Sequence, residues 1–424
     1  MNTVLFGKVG EALRRITRVG DDAVFRVWVP GRIEFLGKHT DYAGGRSMLC
    51  AAEHGICVAA AARPDSVLRV HDAVFGHVVE CSLGDQALLG PPPSGFANYV
   101  HAVATRVARN FGLPLHGADI VIASDLPQAA GMSSSSALIV AIFLALAGVN
   151  DLESRAQYRR AINNCEQLAE YLGTIENGQS FGELEGERGV GTFGGSEDHT
   201  AILCARSGML MQYGFCPVRL ERTVPFPSDH VLVIATSGVA AEKTGAARDR
   251  YNRLSTMIRE ILEQWQSMTG EQYASLGAAI NSSPDAPERM RRMLRTDAPA
   301  RLARLDHFLL ESNTLIPAAA DAIARGELER LGTIVDQSQH AAEELLQNQI
   351  PETSFLAHSA RELGAVAASA FGAGFGGSVW ALVAEADADV FQNRWREAYA
   401  SRFPQRRAEM LATKAGPGVS SAPS

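Results

Sequence analysis

Four consecutive serines, Ser133 to Ser136, stand between Gly131-Met132 and a long apolar run, Ala137 to Val149. Nothing else in the chain narrows its possible folds so far. Small residues opening a helix bring backbone N–H groups, hydroxyl donors and the positive end of the helix dipole to one place, and anions collect there. A nucleotide phosphate is the guest with the right charge. By itself such a run could equally be the serine-rich cap of a buried helix, so the neighbours decide. Two further glycine-rich segments supply them: Pro30-Gly31-Arg32-Ile33-Glu34-Phe35-Leu36-Gly37-Lys38-His39-Thr40-Asp41-Tyr42 before it, and Gly372-Ala373-Gly374-Phe375-Gly376-Gly377-Ser378 after it. The serine loop lacks the Lys that a Walker A loop places before its Ser/Thr. The third segment lacks the strand and acidic residue of a dinucleotide site.

At 424 residues the chain has room for two or three domains. Its net charge of −8 and the absence of any basic run argue against nucleic acid or an anionic membrane as partner. The run from Ala137 to Val149 is shorter than the ~20 residues a membrane-spanning helix needs, and Met1 to Gly10 has no signal-peptide pattern. The six cysteines are scattered without a CxxC pair, which suits free thiols in a reducing compartment, the cytoplasm.

Phe25-Arg26-Val27-Trp28-Val29 alternates as a half-buried strand and delivers the first glycine segment. Further strands are expected over 56–61, 67–71, 78–81 and 118–123, with a helix from Ala97 to Phe111. Gly90 to Gly95, rich in proline, reads as a surface turn. A polar helix from about Asp151 to Asn177 leads into a Gly- and Glu-rich stretch, Gly178 to Gly195. A strand over 231–236 opens the second half. Leu254, Met257, Ile258, Ile261, Leu262 and Trp265 follow with helical spacing, then helices from about 300 to 347 and a strand over 379–384. The tail from Gly416 reads as disordered. Strands and helices mixed without strict alternation indicate an α+β chain.

The ordered set of three motifs resembles the GHMP family of small-molecule kinases, and the first motif resembles the galactokinase branch. The resemblance implies two domains: an N-terminal left-handed βαβ, ribosomal S5 domain 2-like unit over 1–215, and a ferredoxin-like unit over 216–411. The active site would lie in the cleft between them, and 412–424 would form a loose tail. It implies ATP and Mg²⁺ as cofactors and a small sugar as substrate, with no nucleic-acid or membrane partner, in a monomer or small homo-oligomer. Gly131, Met132, Ser133, Ser134, Ser135 and Ser136 would bind the nucleotide. Ser135 would hold the metal with a glutamate of the following helix. Glu176 in Ile175-Glu176-Asn177 matches the family's Ala-Glu-Asn, and Glu170 competes with it. Asp198, in Gly194-Gly195-Ser196-Glu197-Asp198-His199, matches the catalytic aspartate, and Arg32 the arginine between that aspartate and the transferring phosphate. His39, Asp41, Gly195 and Tyr251 fall at positions that contact the sugar.

One departure bears on the substrate. Galactokinases read Gly-Glu-His-Thr-Asp-Tyr, and this chain reads Gly37-Lys38-His39-Thr40-Asp41-Tyr42. The family glutamate accepts a hydrogen bond from the sugar's C6 hydroxyl, whereas a lysine only donates. With Lys38 counted among the sugar-facing residues, two substrates stay open: a neutral hexose such as galactose, whose C6 oxygen would accept from lysine, or a uronate such as galacturonate. The reaction would be phosphorylation of the anomeric C1 hydroxyl. A sugar- and ATP-binding sensor without catalysis is the competing class, and retention of both Arg32 and Asp198 argues against it.

Overall fold

The computed structural model describes residues 2–83, 93–127, 131–239, 245–295 and 298–421. Twelve strands fall into two sheets among them. The first half builds on a long hairpin of β1 (Val24–Leu36) and β2 (Arg46–Ala62). Strands β3 (Val67–Asp72), β4 (Val78–Ser82) and β5 (Ala118–Ser124) extend the sheet in the order β1-β2-β5-β3-β4, with β3 and β5 parallel. Strands β6 (Met209–Gly214) and β7 (Arg219–Pro225) add to the other half of β2. Beyond its opening serines the helix Ser134–Asn150 is apolar on every side, so most of it is buried between this sheet and the neighbouring helices.

The second sheet runs β11 (Met410–Thr413), β8 (His230–Thr236), β10 (Ser378–Ala384), β9 (Ala367–Phe371), all antiparallel. It is covered twice. Val231, Val233 and Val379 pack on Leu356 and Trp395 from two helices, while Leu232, Ile234 and Leu382 face the large core shared with the first half. Burial on both faces explains why these strands read as continuous apolar runs. Phe35 of β1 stacks on Trp380 of β10 at 4.3 Å between ring centres, which fastens the halves together beside the first motif.

The α+β expectation holds. β7 still belongs to the first sheet, through its pairing with β6. The tail is no loose end. Gly416 donates its N–H to the Ala51 carbonyl, and β12 (Ser420–Ser421) pairs with β1, so the chain returns to the first sheet and caps its edge strand. The polar helix begun at Asp151 is broken. Asn164 takes extended backbone, and its side chain accepts from the Gln167 N–H, starting a new helix, Cys165–Asn177. The first half of the Gly90–Gly95 turn and the last three residues of the tail fall outside the described residues.

Candidate active site

Two register shifts interrupt the β1–β2 ladder, between Pro30 and Arg32 and between Glu34 and Leu36. Such bulges re-aim side chains, and here the strand brings Arg32 and Glu34 into a cleft. Arg32 Nε donates to Asp198 Oδ1 at 2.5 Å and its Nη1 to the Gly131 carbonyl at 2.8 Å; its backbone N–H reaches the Met132 carbonyl. One guanidinium thus joins the serine loop to the aspartate. Burial opposes its charge, but Asp198, Glu34 and Glu197 outweigh that cost and hold it firmly protonated.

Gly131 (φ 67°) and Ser133 (φ 55°) both take left-handed backbone, which turns the chain sharply into the helix that begins at Ser134. The Met132 side chain is buried in the core. Ser136 Oγ donates to Glu176 Oε1 at 2.5 Å and lies 3.2 Å from Asp198 Oδ2. The hydroxyl beside Glu176 is therefore that of Ser136, not Ser135 as the family register suggests. Successive helical residues point about 100° apart, and position 136 is the one that faces this side.

Of the two glutamates, Glu176 stands in the cluster. Glu170 accepts from the Val218 N–H and lines a different cavity. The Gly-rich stretch after the helix folds back over its end, with the N–H groups of Gly191 and Thr192 on the Glu176 carbonyl. The apparent insertion thus fixes Glu176 in place.

A polar cavity opens here, lined by Arg32, Glu34, His39, Asp41, Glu176, Gly195, Glu197, Asp198, His199 and Tyr251 among others. Asp41 Oδ2 accepts the Glu197 N–H at 3.2 Å, and a Cβ at Gly195 would fall 2.4 Å from that same oxygen, so glycine is required there. The Tyr251 ring lies 5.0 Å from that of His39, and burial raises its hydroxyl well above the ordinary pKa, keeping it a neutral donor. His39 lines the cavity with its two ring nitrogens facing protein groups. Because the Ala373 carbonyl can only accept, Nε2 carries the proton at 3.0 Å. Arg304 donates to the Tyr42 hydroxyl, which in turn donates to His39 Nδ1 at 2.9 Å. The third glycine motif closes one wall: the Gly372 N–H donates to Glu34 Oε2, and a Cβ there would meet the Gly131 carbonyl and Arg32.

Lys38 is the departure from expectation. It does not line the cavity. Lys38 is 1% exposed, and its ammonium donates to Ser338 Oγ at 3.1 Å and Ser369 Oγ at 2.8 Å; the Ser338 hydroxyl donates in turn to Glu311 Oε1, which also accepts the Gly37 N–H. The turn explains the direction. Gly37 adopts φ 128°, a Cβ there would strike Ser47, and His39 follows in left-handed backbone, so residue 38 is sent across to the helical layer.

Two carboxyls escaped the sequence reading. Glu34 and Glu197 are neighbours in the cavity wall. Burial raises both above the ordinary carboxylate value of 4.5, and Glu197, which also faces Asp41 and Asp198, is raised further. Glu197 accepts the Ser47 hydroxyl at 2.6 Å, whereas no N–H or O–H of the described residues donates to Glu34 Oε1. The signal for Glu34 was visible as a charged residue inside the apolar strand Ile33-Glu34-Phe35-Leu36.

Comparison with known proteins gives this geometry a lineage. Residues 98–179 match the GHMP kinases N terminal domain, 319–401 the GHMP kinases C terminal domain, and 17–62 the galactokinase galactose-binding signature. A galactokinase of Roseiflexus sp. (strain RS-1) is 28% identical over 379 residues, covering 88% of this chain and 87% of its own. One of Streptomyces coelicolor is 28% identical over 408 residues, covering 95% of each. The structure of Lactococcus lactis galactokinase complexed with galactose superposes with a TM-score of 0.81 at 22% identity, over 99% of this chain and 100% of that one. The mevalonate kinase of Methanococcus jannaschii superposes with a TM-score of 0.56 at 11% identity, over 93% and 99%. No helix of the described residues is long and apolar enough to cross a membrane. With both kinase domains, the sugar signature and full-length similarity to galactokinases, the chain belongs to the GHMP kinase family as a galactokinase-like sugar kinase, a phosphotransferase with an alcohol acceptor.

Proposed function

We propose that the protein transfers the γ-phosphoryl group of ATP to the anomeric hydroxyl of galactose or a closely related neutral hexose, in the cytoplasm and with Mg²⁺. The observation that carries this reading is the buried Arg32–Asp198 pair at 2.5 Å, tied by the same arginine to the carbonyl of Gly131 in the serine loop. It sets a carboxylate between an anion-binding helix terminus and a cavity built from Asp41, Gly195 and Tyr251. Asp198 would hold the attacking hydroxyl in line and accept its proton late in the transfer. Arg32 would keep that carboxylate ionised and face the charge developing on the phosphate. Asp41 would accept hydrogen bonds from vicinal sugar hydroxyls. The oxygens of Ser136, Glu176 and Asp198 converge and are the hard donors that Mg²⁺ prefers, so the set fits that ion. When bound, Mg²⁺ supplies charge neutralisation for the phosphates.

Neutral sugar is favoured over uronate because Lys38, the departure that suggested a carboxylate, is directed elsewhere. Among the described residues the lining meanwhile carries Glu34, Asp41, Glu176, Glu197 and Asp198 against the guanidinium of Arg32. The test is an ATP-consumption assay over neutral hexoses, N-acetylhexosamines and uronic acids, with the phosphorylated position read by NMR. Galactose or a near relative should turn over at C1, and Asp198→Asn should lower the rate by ~10²–10⁴-fold with nucleotide binding retained. Preferential use of galacturonate would overturn the neutral assignment. Nucleotide and sugar binding without turnover would point to the sensor.

A further inference from the structure

We propose that Cys165, Glu166 and Cys204 form a site for a thiolate-preferring divalent cation such as Zn²⁺, clasping the two helices whose far ends carry Glu176 and Asp198. The two sulfurs and a carboxylate oxygen lie within 4.8 Å of one another, and Cys165 Sγ is 3.3 Å from Glu166 Oε2. A tetrahedral zinc with Zn–S near ~2.3 Å sets its ligand atoms roughly 3.5–4 Å apart, so small rotamer changes complete the cage and leave a fourth position for water. Cys165 is exposed and Glu166 partly so, which gives an ion access, while Cys204 forms the buried back of the site. Cys204 is also the last residue of the helix Glu197–Cys204, where the negative end of the dipole favours a cation. Among the described residues no other group of His, Cys, Asp and Glu meets this spacing.

The helices Cys165–Asn177 and Glu197–Cys204 meet at both ends. His199 Nε2 lies 3.7 Å from Glu176 Oε1 at one, and Cys165 with Glu166 meets Cys204 at the other. Eleven residues at ~1.5 Å each put the proposed ion about 16 Å from Glu176. It would therefore brace the pair without touching the substrate, and the proposal stands whatever sugar the enzyme uses.

Co²⁺ titration of reduced, metal-free protein should give one equivalent of a thiolate-to-metal charge-transfer band in the near ultraviolet. Zn²⁺ should abolish that band and raise the melting temperature. Cys165→Ala, at an exposed position that leaves the fold intact, should lose the band and weaken Zn²⁺ binding by more than the ~10–100-fold typical of changes one layer out from a metal. Glu166→Gln should weaken it less, with basal kinase activity unchanged in both. No band, or a band that survives Cys165→Ala, would overturn the site. So would a Cys165–Cys204 disulfide in protein prepared without reductant, if the reduced protein ignores Zn²⁺.

Discussion

Replacing Lys38 tests whether its charge serves the fold or the sugar. The ammonium makes two hydrogen bonds, to Ser338 and Ser369, in a site where Lys38 is 1% and Glu311 0% exposed. Bonds to charged groups contribute ~1.5–3 kcal/mol each, which sets a ceiling of about 6 kcal/mol on what Lys38→Met removes. The loss should fall well below that ceiling. Ser338 keeps Glu311 and Ser369 keeps Gln339 as acceptors, so no hydroxyl is left with its proton unused, and the methionine stem fills the same channel. We expect ~3 kcal/mol of destabilisation, with the relative kcat/KM for galactose and other sugars unchanged. Lys38→Glu should be far worse, because a second carboxylate is set beside Glu311. At ~4–5 Å and an effective dielectric near ~20 the repulsion is roughly 3–4 kcal/mol. Added to the lost bonds, that approaches the ~5–15 kcal/mol total stability of a folded protein. Urea unfolding of both variants gives the stabilities, and initial rates on a sugar panel give the selectivity. A Lys38→Glu protein as stable as wild type and better with galactose would refute the reasoning, since it would show residue 38 meeting the sugar after all.

Ser136→Ala should impair Mg²⁺-dependent turnover more than Ser135→Ala, measured as the Mg²⁺ concentration for half-maximal rate; equal effects would return the role to the family register. Glu176→Gln should likewise raise that concentration and Glu170→Gln leave it alone. Gly195→Ala should cripple sugar binding, seen as a raised KM with an unchanged fold by circular dichroism, because the added methyl would land 2.4 Å from Asp41 Oδ2. For Glu197 the folded pKa is raised above 4.5, so its contribution to stability is full below that pH and declines as pH rises toward the folded value. Glu197→Gln, which can still accept from Ser47, should therefore be more stable than wild type at pH 8, with the gap vanishing at pH 4 in thermal melts.

Much of this site was legible because the motifs are local. Backbone turns, a helix terminus and a glycine against Asp41 are specified by a few adjacent residues, and Arg32, Asp41, Glu176, Gly195, Asp198 and Tyr251 all reach one cluster. What escaped depended on direction or on distant partners. Ser135 and Ser136 are neighbours in sequence but point about 100° apart, and four identical residues carry no signal to choose between them. The strands β6, β7 and β11 went unread because pairing partners far along the chain, not their own alternation, define them. The tail looked disordered from composition, yet its backbone finds acceptors and donors on β1 and β2.

The case of Lys38 shows how a single-position argument fails. Read alone, glutamate exchanged for lysine predicts a change of charge in the sugar pocket. The structure distributes that charge differently. The lysine balances a buried glutamate, Glu311, through a serine, while the cavity retains a carboxylate from another place, Glu34, three residues before Gly37 on the strand that delivers the motif. Burial favours the protonated form of both Glu34 and Glu197, and the charge of Glu34 raises Glu197 further. Such a pair can donate and accept at once, which matches a sugar hydroxyl and penalises a carboxylate brought up against it. On the proposed reading, selectivity for a neutral hexose would rest on the sum of buried charges around the cleft, a quantity that residue 38 does not set alone.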